Sequence, residues 1–169
     1  KNLSVTGKVT AKTFYGINEG WAAAHNSDIW AITNPVGQFG KEEPMWACWN
    51  MAGAWLSTHI WEHYVFTQDK NYLKNEGYEI MKGASQFCLK WLVEDKNGNL
   101  ITSPSTSPEN QYSTPDGFIG ATIYGGTADL AMIRECFDKT IKASKVLDVD
   151  AEFRAKLETA LVKLYPYQI

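Results

Sequence analysis

The sequence predicts an all-α chain in which long helices, alternately buried and amphipathic, are joined by loops. Three observations lead there. Apolar residues recur at helical spacing in four stretches, around Trp46–Tyr64, Leu73–Trp91, Ile133–Ser144 and Phe153–Leu164. The segment Tyr15–Gly40 is rich in Gly, Asn and Pro and has no such period. The clearest β signal is local: Asn97-Gly98 stands between Leu92-Val93 and Leu100-Ile101 and predicts one tight hairpin.

Taken in chain order, Leu3-Ser4-Val5 and Lys8-Val9-Thr10 alternate apolar and polar residues around Gly7. They read as a short β-hairpin or extended N-terminal arm. Tyr15–Gly40 reads as loop. A helix is then expected from about Glu42, with Glu42 and Glu43 at its start and Pro44 in its first turn. Trp46, Trp49, Ala52, Trp55, Leu56, His59 and His63 share its period, while Met51, Ile60, Trp61 and Tyr64 fill other faces. A helix apolar nearly all round is expected to be buried. Thr67-Gln68-Asp69 ends it. The next helix carries Leu73, Gly77, Ile80, Met81, Ala84, Phe87, Cys88 and Trp91 on one side and Lys and Glu on the other, as an outer helix would. After Gly125-Gly126, Thr127 is placed to cap a helix reaching about Val146, with Ile133, Phe137, Ile141 and Ser144 on one face. Asp150 is placed to cap the last, with Phe153, Leu157, Leu161 and Leu164 inward. No 20-to-50-residue repeat runs through the chain.

Composition narrows the function. At 169 residues, 44% hydrophobic and 21% charged, the chain can bury a real core and is not disordered in character. A net charge of −3 gives no electrostatic reason to expect nucleic acid or an anionic membrane as partner. No apolar run is long enough to span a bilayer. Cys48, Cys88 and Cys136 are widely spaced in apolar helical patterns and read as buried free thiols, not as a metal or disulfide framework. Seven Trp and eight Tyr are many for this length; they can fill a core or offer flat platforms for sugar rings.

The stretch Thr102–Gln111 places one carboxylate, Glu109, in an otherwise uncharged loop. Pro104 and Pro108 fix their own φ and push Ser103 and Ser107 towards extended geometry. The Ser and Thr hydroxyls can bond the local backbone. A general acid needs such rigidity, because its carboxyl must reach one substrate atom. A solvated Glu in a Pro-Ser connection is the plainer alternative. His25-Asn26-Ser27-Asp28 holds the ingredients of a nucleophilic triad, but triads assemble from distant segments and not from neighbours. His59-Ile60-Trp61-Glu62-His63 matches the H-x-x-E-H pattern of inverted zinc peptidases, and its two histidines share one helix face. A zinc-dependent hydrolase on His59, Glu62 and His63 is therefore one alternative. A satisfied buried histidine pair in a Trp-rich helix is the weightier one, since no third ligand is singled out. Asn97-Gly98-Asn99 reads as turn chemistry.

Gly20-Trp21, His25-Asn26-Ser27-Asp28-Ile29-Trp30, Gly53-Ala54-Trp55-Leu56, His59-Ile60-Trp61-Glu62-His63-Tyr64 and Ser103-Pro104-Ser105-Thr106-Ser107-Pro108-Glu109-Asn110 follow one another in this order. From about Thr13 to Tyr167 the chain thereby resembles the catalytic domain of glycoside hydrolase family 95, the inverting α-L-fucosidases and their α-L-galactosidase relatives. The resemblance implies part of an (α/α)6 toroid, with residues 1–169 an internal piece of the catalytic domain of a larger enzyme. It implies hydrolysis of terminal α-L-fucosides with inversion, Glu109 being the general acid. His25 and Asp28 would lie at the barrel mouth as hydroxyl-binding groups or as supports for them, a purely structural loop being the alternative; Trp46 or Trp49 would lie against the fucose, and Asn110 would also bind the substrate. The water-activating groups of the family, an Asn-x-Asn pair and an Asp, fall outside these residues, so the piece alone is expected to be inactive. No metal or organic cofactor is implied. The partners implied are a fucosylated oligosaccharide or glycan and the remainder of the same polypeptide, in a periplasmic or extracellular setting. A non-catalytic helical carbohydrate-binding or interaction domain remains the non-enzyme alternative.

Overall fold

The computed structural model describes residues 2–25, 27–36 and 48–167. Its architecture is mainly helical, as expected: α1 (Asn2–Tyr15), α2 (Ala52–Thr67), α3, α4 (Thr127–Leu147) and α5 (Ala151–Lys163). Helix α3 runs through three consecutive segments, Lys70–Tyr72, a π-helical Leu73–Gly77 and Tyr78–Trp91. Helix α4 is central, packing against α2, α3 and α5. Around it lie Ile133, Phe137, Phe87, Met51 and Leu157, all 2% exposed or less. Each such side chain contributes about 1.5–3 kcal/mol by leaving water. Among the described residues, no helix is long and apolar enough to cross a membrane.

The N-terminal arm is a helix, not a hairpin. Its alternating pattern also contains a helical face, and α1 buries Gly7, Thr10 and Ala11 while Leu3 and Tyr15 pack against the core. Val5 and Val9, which suggested a strand, are 63% and 65% exposed. Burial of the small-residue face outweighs the modest β preference of valine. Gly7 lets α1 approach the Trp21 indole, where a Cβ would stand 2.8 Å from Cε3.

The second expected helix is shorter than its period suggested. Residues 37–47, with Glu42, Glu43, Pro44 and Trp46, lie outside the described residues. Cys48, Trp49 and Asn50 are not helical, and α2 begins at Ala52. Nor is α2 buried all round. It turns Ala52, Gly53, Ala54, Ser57 and Thr58 inward, whereas Trp55 is 49% and Phe66 88% exposed, with His59 and His63 also exposed. Small residues let helix backbones approach closely, so that face faces the other described helices. The expected buried histidine pair is therefore not found. Gln68, left-handed at φ 55°, ends the helix as expected and donates its N–H to Tyr64 O.

Asp69 then caps α3, its side chain accepting the Tyr72 N–H at 2.9 Å. The Asn97-Gly98 turn is as predicted. β1 (Leu92–Glu94) pairs antiparallel with β2 (Leu100–Thr102) in the register Val93↔Ile101. Asp95 Oδ1 accepts the N–H groups of Asn97 and Asn99, and Gly98 supplies φ +83°. Two further ladders follow: β3 (Ser105–Thr106) with β6 (Thr122–Ile123), and β4 (Tyr112–Ser113) with β5 (Ile119–Gly120).

Both expected side-chain caps are corrected. Gly126, not Thr127, is the cap residue of α4, and its N–H donates to the Ser105 hydroxyl at 3.2 Å. Asp150 does precede α5 but makes no side-chain cap; its carboxylate is drawn instead to Lys82, 2.7 Å away. Cys88 and Cys136 are buried free thiols, while Cys48 is exposed, because its segment is not the helix its pattern implied.

Candidate active site

Strand β3 and the segment Cys48–Asn50 face one another across a cavity of about 280 Å³. Phe14, Tyr15, Trp49 and Trp91 supply aromatic walls, and Asn50, Ser105, Thr106 and Asp129 supply polar groups. Ligand pockets commonly hold roughly 300–1,000 Å³, so this one is of a size for a single small ring. Its distinguishing feature is unused hydrogen-bonding capacity. The Tyr15 hydroxyl, Asn50 Nδ2, Trp91 Nε1 and Thr106 Oγ1 are all buried with no partner among the described residues. An unpaired buried polar group costs roughly 1–3 kcal/mol, so four along one cavity favour a ligand rich in hydroxyls. Burial pushes the Tyr15 phenol up, and the nearby Cys48 thiol adds to it, which leaves a neutral donor.

Asp129, in the first turn of α4 and only 2% exposed, closes one side of the cavity. Its Oδ1 accepts the Trp49 indole N–H at 2.9 Å, and its Oδ2 accepts the Ser105 hydroxyl at 2.6 Å. Burial pushes its carboxyl above the ordinary range, against hydrogen bonds from Ser105, Trp49 and Thr102 that favour the charged form. Trp49 also meets His25 edge to face at 6.1 Å and Trp55 at 6.5 Å, and Trp55 meets His59 at 6.3 Å. His25 and Trp49, distant in sequence, are thus brought together.

Glu109 lies just beyond β3. Asn110 N–H donates to Ser107 O at 3.1 Å, closing a turn with Pro108 second and Glu109 third. Glu109 has φ +62°, and a positive φ after proline is the type II pattern, where glycine or asparagine is usual. A glutamate there carries strain of about 1–2 kcal/mol. Backbone strain of this kind gathers at functional sites. Its side chain is exposed. The described residues do not bury it against aromatic side chains.

The other expected site residues separate. Asp28 is exposed and stabilises its own turn, its Oδ1 accepting the N–H groups of Trp30 and Ile32, beside a different opening lined by Asn2, Leu3 and Ala31. Asn110 is exposed and its side chain donates to Ser107 Oγ and Pro108 O, which holds the Glu109 turn. Trp46 and Asn26 lie outside the described residues. Glu62 faces Lys139 at 3.5 Å, and the His63 ring lies 4.4 Å from that of Tyr72. Among the described residues, no cluster of three or more His, Cys, Asp and Glu side chains could hold a metal.

A larger opening of about 600 Å³ lies beside the β1–β2 turn, between Asp95, Asn97, Tyr124 and Tyr165. Its one carboxylate is consumed by the turn: hydrogen bonds from Asn99 hold Asp95 below the usual range. The smaller cavity therefore has the better chemistry. Sequence reasoning missed Asp129, Asn50 and Tyr15 there. Asp129 had no local signal, since its partners stand 80 and 24 residues away.

The sequence model of the glycosyl hydrolase family 95 catalytic domain matches residues 1–169. Alpha-L-fucosidase 2 of Arabidopsis thaliana is 42% identical over 168 residues, covering 99% of this chain. Probable alpha-fucosidase A of Aspergillus niger is 31% identical over 164 residues, covering 95%. The chain spans 19% of the length of each of these relatives.

Proposed function

The chain belongs to glycoside hydrolase family 95, and from that membership we propose that it contributes the acid side of an active site hydrolysing terminal α-L-fucosides, or related α-L-galactosides, with inversion. The observation that carries this reading is the aromatic cavity with four unpartnered polar atoms, joined through β3 to the Glu109 turn. A fucose ring has hydroxyls for the Asn50, Thr106, Tyr15 and Trp91 groups, and a methyl and apolar ring edge for the Trp49 and Phe14 walls.

In this reading Glu109 gives its proton to the glycosidic oxygen as the bond from that oxygen to the anomeric carbon breaks. Water attacks the opposite face of the sugar and loses its proton to a base, so the released fucose has inverted configuration. Inversion leaves room for that water when acid and base stand roughly 6.5–9.5 Å apart. The base is proposed to come from the remainder of the polypeptide, together with the groups that bury Glu109 and keep it protonated. Of the other expected residues, His25 belongs to the sugar pocket through Trp49, while Asp28 and Asn110 act through their turns.

The test is Glu109→Gln in the full-length polypeptide, assayed on a fucoside with an alcohol leaving group and on α-L-fucosyl fluoride. Loss of roughly 10²–10⁴-fold is expected on the first, with the fluoride largely spared because fluoride leaves without a proton. Equal loss on both substrates would remove Glu109 from the role of acid.

A further inference from the structure

Asp129 is a buried carboxylate with no salt-bridge partner among the described residues, and the reaction just described does not use it. Its surroundings are unusual for a helix start. An acidic residue at the third helical position ordinarily reaches back to the N–H of the cap residue. Here the Ser105 hydroxyl stands between them, accepting the Gly126 N–H at 3.2 Å and donating to Asp129 Oδ2 at 2.6 Å. The helix end is thus satisfied by a residue from another segment. The second oxygen holds no backbone at all; it takes the indole N–H of Trp49 at 2.9 Å. A helix cap alone would need neither of these distant partners. Both are walls of the same cavity.

We propose that Asp129 is a positioning residue that locks the Trp49 wall of the sugar pocket to strand β3 and, through β3, to the Glu109 turn. The proposal rests on the reading of Glu109 above. Strand β3 is short and pairs with β6 over Ser105 and Thr106, so the Ser105 hydroxyl is its main side-chain anchor. Three residues beyond Thr106 stands Glu109, in a backbone conformation that needs support from its surroundings. The contacts are directional, each carboxylate oxygen of Asp129 accepting one hydrogen bond, at 2.9 Å from Trp49 and 2.6 Å from Ser105. Movement at Ser105 therefore reaches the acid, and movement at Trp49 reaches the sugar.

The experiment uses the full-length polypeptide and the same two substrates. Asp129→Asn keeps size but cannot accept from both donors. It is expected to lower kcat on the alcohol-leaving fucoside by about 10²-fold, the cost typical of a misplaced catalytic group, with a smaller loss on the fluoride. Ser105→Ala is expected to show the same leaving-group dependence, and Trp49→Phe, which removes the indole N–H, to act mainly through a higher KM. The losses from Ser105→Ala and Trp49→Phe should be non-additive when combined, and that coupling should vanish once residue 129 is Asn. Asp129→Asn that lowers only thermal stability, or slows both substrates equally, would reduce Asp129 to a structural cap and overturn the proposal. If Asp129→Asn does not fold, the Ser105 and Trp49 pair decides: additive losses overturn the proposal and coupled losses support it. Glu109→Gln run alongside separates the two levels. If it loses both substrates equally, the reading of Glu109 fails and takes this proposal with it. If it spares the fluoride while Asp129→Asn does not, the positioning proposal alone fails.

Discussion

The backbone of Gly83 lies so close to the edge of the Trp21 indole that a Cβ at residue 83 would stand 2.7 Å from Cδ1. The same ring is met by Gly7 of α1 and Gly53 of α2, and its Nε1–H donates to Ile80 O at 2.9 Å. Trp21 is therefore the wedge on which α1, α2 and α3 converge, and its place depends on three missing side chains.

Gly83→Ala should accordingly destabilise the fold by about 1–3 kcal/mol, as overpacking does. This is opposite to the gain of about 1 kcal/mol that alanine brings to an open helix position. Urea unfolding of wild type and variant measures it. An unchanged or higher midpoint would mean that the indole moves aside freely.

Glu109→Gly should remove catalysis and at the same time raise stability. Glycine meets no Cβ penalty at φ +62°, so a gain of up to about 1 kcal/mol is expected. Thermal melts beside Glu109→Gln, which keeps the strain, isolate the backbone effect. A Gly variant less stable than the Gln variant would show that the turn is unstrained.

The Lys82–Asp150 pair sets a pH dependence. The hydrogen bond from Lys82 holds the Asp150 carboxyl below its ordinary range, against a smaller opposing effect of burial. A depressed folded value means stability that is present above the unfolded value of about 3.9 and is lost as pH falls through the folded value. The pair is partly exposed, so its worth is about 1 kcal/mol or less. Wild type should exceed Asp150→Asn in stability at pH 7 and at pH 5, with the gap closing below about pH 4. A gap that widens in acid would contradict the assignment.

Metal removal should have no effect. His59 lies against Trp55, His63 against Tyr72, and Glu62 faces Lys139. Dialysis against a chelator should leave both fucoside hydrolysis and the melting temperature as they were. One zinc per chain, lost together with stability, would restore the zinc-hydrolase alternative.

Where neighbours decide structure, the sequence was readable. The hairpin at Asn97-Gly98, the stop at Gln68 and the helices from Leu73, Ile133 and Phe153 follow from turn residues and period. The Pro108-Glu109 turn was legible as a rigid loop, though not as a left-handed one. Valines 5 and 9 misled because β preference is a weak local term, and the face of α1 that mattered was made of Gly7, Thr10 and Ala11. Large aromatic residues misled in α2 for a related reason: its small residues face the other helices, and Trp55 does not.

The sequence by itself determined the helical class, the Asn97-Gly98 hairpin, the stop at Gln68, the family and the loop that bears Glu109, because periodicity, turn chemistry and motif order are written within a few neighbouring residues. Only the tertiary structure decided which helix faces are buried, that His25 meets Trp49, and that Asp129 joins Trp49 to Ser105. Those depend on groups up to 80 residues apart. Their pairing is selected by the burial that brings them together and by the cost of leaving a buried carboxylate unsatisfied.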